Sequence, residues 1–420
     1  MRDTARPTIC FLAVAGSATV TLGLLAQGLL ERYPQARLIV LDTEAFNTRT
    51  TSKLNWTGPG ELMELAPEQF GLINFTKGTS QGASMNLVFN GGQFAFDRIV
   101  RRARKLFRGL RPHLIVSCND TFFAQRAFLK AARAEGAASM LVQEGPFSIV
   151  RPKQERPGRT LKKRFARIAR AAHLLPPTMP YGTYGHDLVL ACSESYRRRF
   201  EAAGVAKDTI RVTGVPRFDT LEPAYTQRHG KRRIVYVFQP FVKQGRVRPE
   251  VAYPLFETLV AGLNTAYRAA PFELILRAHP RSDAQTMQRI EQMMEVPFTL
   301  SSEGALPDLL QTANCVVGHY SIGLLESIIL DVPVVCVPVP LAGFTAKLEA
   351  DKQDWFVRSD IHCAQTADEV RQSVLAALMS AAAPDIDISS EVGPLDGRAV
   401  ARSVQAAASL IEPRLVGRNA

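Results

Sequence analysis

Cysteine is scarce and nowhere arranged for chemistry: the 420 residues hold six, Cys10, Cys118, Cys192, Cys315, Cys336 and Cys363, and no two stand at the Cys-x-x-Cys spacing of redox or zinc sites. Set mostly inside apolar runs, they read as buried thiols in a reducing cytosol. No stretch of about 20 apolar residues is unbroken. The most apolar segment, 9–30, is interrupted at Gly16-Ser17 and flows into a strand-helix-strand pattern, so it reads as neither a membrane span nor a signal peptide. A full Gly-x-Gly-x-x-Gly fingerprint is missing, as is any solenoid repeat. No Asp-x-Asp stands at a strand end, because Asp385-Ile386-Asp387 falls in a late polar stretch, and no His/Cys/Asp cluster has metal-ligand spacing. Metal-independent chemistry with no cofactor is therefore expected.

Acidic residues are also in the minority, 39 against 51 Lys and Arg, which leaves a formal net charge of +12 and points to an anionic partner. The excess is local. A basic arm spans 151–180, with nine cations between Arg151 and Arg170, among them Arg151, Lys162 and Lys163, against the single acid Glu155. A second cluster, from Arg98 to Arg111, lies on a predicted helix whose apolar side is Ile99, Val100, Leu106 and Phe107.

What is present in quantity is alternation of apolar strands with amphipathic helices. Strands are expected at 8–15, 36–41, 113–117, 139–142, 188–191 and 210–213, with helices at 20–32, 121–134 and 196–203, the last capped by Ser193. Residues 43–92 are too interrupted by polar turns to assign. After a Gly- and Pro-broken, charged stretch from Gly214 to Arg233, strands recur at 234–238, 272–277, 298–300, 315–317 and 334–337, and helices at 253–269, 284–294, 305–312 and 323–330. Two further helices, 367–378 and 399–411, follow. Continuous Val/Ile/Leu strands between helices imply parallel sheets covered on both faces, an α/β architecture of two doubly wound, Rossmann-like domains. Their expected bounds are 1–220 and 232–420, as the length also suggests.

Such sheets bind ligands beyond the carboxyl ends of their strands, so the residues there are the candidates. Glu144, in Gln143-Glu144-Gly145, is placed to take a proton from an acceptor hydroxyl, with capping or an ion pair as its structural alternative. His279, in Arg277-Ala278-His279-Pro280, is placed to protonate or hydrogen-bond a leaving phosphate beside the positive charge of Arg277 and Arg281. Tyr320-Ser321-Ile322-Gly323 opens a helix whose amides and Ser321 hydroxyl suit a phosphate, although Ser321 also suits a plain helix cap. Glu326 further along suits ribose hydroxyls, Gln239 ends another strand, and His319 either packs beside the site or serves it. Gly16-Ser17 is a weaker candidate for the acceptor side.

Several of these residues carry a resemblance. Ala313 to Ser321, continuing through Asp331-Val332-Pro333, resembles the donor-binding region of CDP-glycerol glycerophosphotransferases and of bacterial polysialyl- and capsule transferases. Gly214-Val215-Pro216-Arg217 is similar to their inter-domain signature, His279-Pro280 to their His-Pro motif, and Gln143-Glu144-Gly145 to the acidic-Gly motif of the polysialyltransferases. The resemblance covers the second half and the domain junction, and little before Pro112. It implies a GT-B fold, two Rossmann-like domains facing a central cleft, with Glu144 as base and His279 and Ser321 at the donor phosphate. Glycerophosphotransferases usually have His-Gly where this chain has Glu144-Gly145, which favours sugar transfer. The expected function is an inverting, metal-independent glycosyltransferase, CMP-sugars favoured, building a cell-surface glycan such as capsule or lipopolysaccharide. A nucleotide-sugar donor and a glycan or lipid-linked acceptor are the expected partners, with no nucleic acid; the location is cytoplasmic, the basic arm against the inner membrane surface. The alternatives are a UDP-N-acetylglucosamine 2-epimerase, which shares the fold and a Ser-x-x-x-x-Glu element but typically has additional acids, and a non-catalytic binder of a sugar nucleotide or anionic polymer.

Overall fold

The computed structural model describes residues 6–46, 54–73, 83–146, 167–172, 174–177, 179–223, 232–243, 247–279, 282–339, 362–380 and 386–418. The chain divides into two compact units. The first is built on strands β1 (Thr8–Ala13), β2 (Arg37–Asp42), β3 (Glu61–Glu64), β4 (Leu114–Ser117), β5 (Ala138–Val142), β6 (Leu188–Ala191) and β7 (Ile210–Val212). All pair in parallel, in the order β3-β2-β1-β4-β5-β6-β7. Helices α1 (Ser17–Arg32), α2 (Ala83–Phe89), α3 (Gln93–Leu110), α4 (Phe123–Ala134) and α5 (Glu194–Ala202) belong to the same unit.

The continuous apolar strands follow from two cores, one on each face of the sheet. Along β1, Ile9, Phe11 and Ala13 enter the core with α1, whereas Cys10 and Leu12 enter the one with α3 and α4, the two-residue alternation of a strand buried on both sides. The exception is β3, an edge strand with mostly exposed residues, Glu-Leu-Met-Glu, which has no apolar run to announce it.

The second unit holds β8 (Arg233–Val237), β9 (Glu273–Arg277), β10 (Phe298–Ser301), β11 (Cys315–Gly318), β12 (Val334–Cys336) and β13 (His362–Cys363), again parallel, in the order β10-β9-β8-β11-β12-β13. Its helices are α6 (Pro249–Ala269), α7 (Ala284–Met293), α8 (Leu306–Gln311), α9 (Ile322–Ile329) and α10 (Ala367–Met379). Caps fix two of their starts: the Asp283 carboxylate accepts from Thr286 N at 2.8 Å, and Thr366 with Glu369 forms a capping box at α10. Cys363 on β13 is exposed, unlike the other five cysteines, because a two-residue edge strand leaves its outer face open.

The expected second domain, 232–420, ends too late. From Ser389 onward the chain returns to the first unit through α11 (Ser389–Val392) and α12 (Ala399–Arg418). Val404, Ala407 and Ile411 of α12 complete the core beside Leu22, Leu25 and Leu29 of α1, and Arg32 Nη2 donates to Glu412 at 2.9 Å. Asp219 fixes the return, its carboxylate accepting from Ala399 N at 3.0 Å and Val400 N at 2.7 Å. Gly214 has φ +80°, and a Cβ there would lie 3.1 Å from that of Ala399, which accounts for the glycine of the Gly-x-Pro-Arg segment.

Candidate active site

In each sheet the chain reverses its winding once, between β1 and β4 in the first and between β8 and β11 in the second, and ligands of doubly wound sheets gather at such points. At the first, β1 runs into Gly16, whose φ of +117° no larger residue adopts cheaply, and so into Ser17 at the start of α1. Ser17 Oγ donates to Glu144 Oε2 at 2.9 Å. Glu144 follows β5 and is half-buried. Desolvation pushes its carboxyl above the ordinary range, and the Ser17 hydrogen bond and the Arg217 charge pull part of that back. Such a group is a base whose affinity for a proton has been strengthened. The sequence separated Gly16-Ser17 and Glu144 into different roles; the fold joins them.

Behind Glu144 the loop is locked. Arg217 Nε donates to the Glu144 carbonyl at 3.0 Å, its guanidinium lying over the Phe218 ring at 4.5 Å. Gln143 is buried, donating to the Gly145 carbonyl and accepting from Cys192 N, both at 3.0 Å. Gln143 is therefore a brace.

Two further acids escaped the sequence reading. Glu44, just past β2, is buried, and its Oε2 accepts from Ala15 N at 3.0 Å. Asp120, past β4, is buried, accepts from Gly182 N at 3.0 and 3.1 Å, and has His186 Nε2 at 3.4 Å. Burial raises the Tyr181 phenol, and the neighbouring Cys118, Asp120 and Glu144 add to it in that order. That hydroxyl donates to the Cys118 carbonyl at 3.1 Å. The signal for Glu44 and Asp120 was available: each follows a buried strand within three residues.

At the second reversal Gln239 follows β8 and is half-buried, and Tyr320 and Ser321 follow β11. Ser321 is buried and its Oγ accepts from Leu324 N at 3.2 Å, so the hydroxyl caps α9. Glu326 lies buried on α9. His279 is half-buried past β9.

Two candidates are spent elsewhere. His319 is fully buried against Tyr236, Phe241 and Phe256, with Nδ1 2.8 Å from the Val337 carbonyl. Burial lowers its imidazole to about 4, so it stays neutral at the centre of an aromatic core. Arg277 turns along the sheet to the segment after β10, donating to Ser301 Oγ at 2.9 Å, to the Gly304 carbonyl at 2.6 Å and to the Glu303 carbonyl. Its guanidinium holds that loop. Pro280, Arg281, Arg151, Lys162 and Lys163 lie outside the described residues, as does most of the basic arm. Among the described residues no three His, Cys, Asp or Glu side chains gather as metal ligands, and no helix is long and apolar enough to cross a membrane.

No protein-family profile matches the sequence, and no curated protein matches it. Solved structures do match over essentially the whole chain. A protein of Listeria monocytogenes assigned as a UDP-N-acetylglucosamine 2-epimerase aligns at 13% identity over 97% of this chain and 98% of its own, with a TM-score of 0.62. The UDP-GlcNAc 2-epimerase of Neisseria meningitidis, bound to UDP-GlcNAc, aligns at 11% identity over 96% and 100%, with a TM-score of 0.56. The calicheamicin glycosyltransferase CalG4 aligns at 15% identity over 98% and 99%, with a TM-score of 0.54. At such identities the likeness is one of fold. The chain has the two-unit Rossmann-like architecture of the GT-B type, and the narrower resemblance to capsule and glycerophosphate transferases has no counterpart among these matches.

Proposed function

We propose that the protein is an enzyme acting on a nucleotide-activated sugar, with 2-epimerisation of a UDP-N-acetylhexosamine as its first reading. The observation that carries it is the set of acids at the carboxyl ends of β2, β4 and β5: Glu44, Asp120 and Glu144. Inverting a carbon centre requires a group that removes the carbon-bound proton and one that returns a proton to the opposite face, so a single carboxylate is too few. Glu144, the half-buried member with the strengthened proton affinity, is the group assigned to meet the substrate, and Asp120 is the second acid. The full-length likeness to UDP-GlcNAc 2-epimerases supports the same reading. In the second unit Ser321, Tyr320, Gln239 and the start of α9 are assigned to the diphosphate, Glu326 to the ribose and His279 to the departing phosphate, without metal or cofactor.

The second reading is inverting glycosyl transfer, supported by the likeness to CalG4. There Glu144 deprotonates an acceptor hydroxyl of a cell-surface or lipid-linked glycan, and the protein works in the cytoplasm or at the inner membrane surface. UDP-GlcNAc in deuterated buffer separates the two. Epimerisation predicts deuterium at carbon 2 and appearance of the 2-epimer by NMR; donor intact without acceptor and consumed without exchange when acceptor is added favours transfer. Stabilisation by CMP and not by UDP in a melting experiment would remove the epimerase reading.

A further inference from the structure

The first unit carries a feature that sugar-nucleotide chemistry does not use. Along α3, the buried residues Phe96, Ile99, Val100, Ala103 and Phe107 define the inner face. Positions 94, 98, 101, 105 and 108, spaced four, three, four and three apart, form a single stripe on the opposite face. That stripe reads Phe94, Arg98, Arg101, Lys105, Arg108, of which Arg98 is half-buried and donates to the Asn90 carbonyl at 3.0 Å. Phe94 is 77% exposed, and Phe89, at the end of α2, is 67% exposed. The backbone joins a third apolar group to them: Gln93 N donates to the Leu174 carbonyl at 2.9 Å, which stations the exposed Leu174 side chain at the head of α3. Arg101 and Lys105 are exposed and have no ion pair with any described residue, whereas Arg104 and Arg108 share Glu135 at 2.6 and 3.0 Å.

We infer that this edge of the first unit docks on an anionic lipid bilayer. Exposed aromatic side chains are costly in water and favourable at the boundary between headgroups and acyl chains, while Arg101 and Lys105, further along the same face of α3, meet the negative headgroups. The net charge of +12 acts in the same direction over longer range. A pure polyanion would use the cations and leave the phenylalanines idle.

Co-sedimentation of the full chain with phosphatidylcholine vesicles, with and without phosphatidylglycerol, tests this. Binding is expected only where phosphatidylglycerol is present and falls as salt is raised. Phe94→Ser, which keeps every cation including the basic arm, lowers the apparent affinity about tenfold, and Phe94→Leu restores most of it. Arg101→Glu with Lys105→Glu lowers it at least as much. All these side chains are on the surface, so unchanged melting temperatures confirm intact folding. Equal binding to neutral vesicles, binding indifferent to Phe94→Ser, or none to either vesicle overturns the inference. So does Phe94-dependent self-association or RNA binding in place of vesicle binding.

Discussion

The two sheets share a strand order, three strands wound one way from the first and the rest the other, yet the loops at their carboxyl ends differ in character. The first sheet presents carboxylates: Glu44, Asp120 and Glu144, each oriented by a hydrogen bond from a backbone amide or hydroxyl. The second presents a serine-capped helix start beside a neutral imidazole sealed among aromatic rings. One topology thus ends in carboxylates in one copy and in a capped helix start beside an uncharged aromatic core in the other, and the proposed function assigns proton transfer to the first and ligand binding to the second.

The sharpest way to break the comparison is Glu144→Gln. Turnover should fall about 10²- to 10⁴-fold, the usual range for a lost general base. The raised carboxyl of Glu144 is a stabilising group only while protonated: that contribution is complete below the ordinary carboxylate pKa and disappears as pH rises through the folded value. Glu144→Gln should therefore melt slightly higher than the parent at neutral pH while losing activity. Ser17→Ala should move the acidic limb of the activity profile to higher pH, since the Ser17 hydrogen bond holds the carboxyl down.

His319 gives the next effect. Its imidazole is lowered from the ordinary 6.5 to about 4 in the fold. Stability is complete above 6.5 and declines as pH falls toward 4, because the unfolded chain takes up a proton that the core refuses, with a ceiling of about 3 kcal/mol. Urea unfolding at neutral and acidic pH should show a pH-dependent loss that His319→Gln reduces. If the variant instead weakens nucleotide binding at unchanged stability, the imidazole belongs to the ligand and the contrast between the sheets fails there.

Smaller effects sharpen the assignment within the second sheet. Arg277→Met removes hydrogen bonds to carbonyls of the exposed loop after β10, which water replaces, and should cost about 0.5–1.5 kcal/mol, with little change in KM. Ser321→Ala should cost about 1 kcal/mol as a cap; a many-fold rise in KM beyond that would mark the hydroxyl as a ligand contact as well.

The buried strands of both sheets were legible because central parallel strands are apolar on both faces, and the ends of β5 and β11 were located closely enough to single out Glu144 and Ser321. Two of the four edge strands were not, although β7 and β10 were: β3 offers two glutamates in four residues and β13 only two residues, so neither carries a run of apolar side chains. Nor does an amphipathic helix such as α12 declare which core it joins; adjacency in sequence pointed to the second unit, and packing on α1 decided for the first. Strand-end position identified Arg277 and His319 as candidates, but it does not say which way a side chain turns. One turned along its sheet and the other inward.

Asp219 ends the first unit's stretch before the chain leaves it, and its carboxylate holds the two amides with which α12 begins after the chain has come back. Departure and return are thus clasped by one side chain, and residues 220–388 form a cassette inserted into a domain that closes around its own tail. Under the proposed function the cassette would hold the nucleotide contacts and its host the acid-bearing loops, so grafting a different 220–388 segment should change nucleotide preference in a melting assay without touching Glu144.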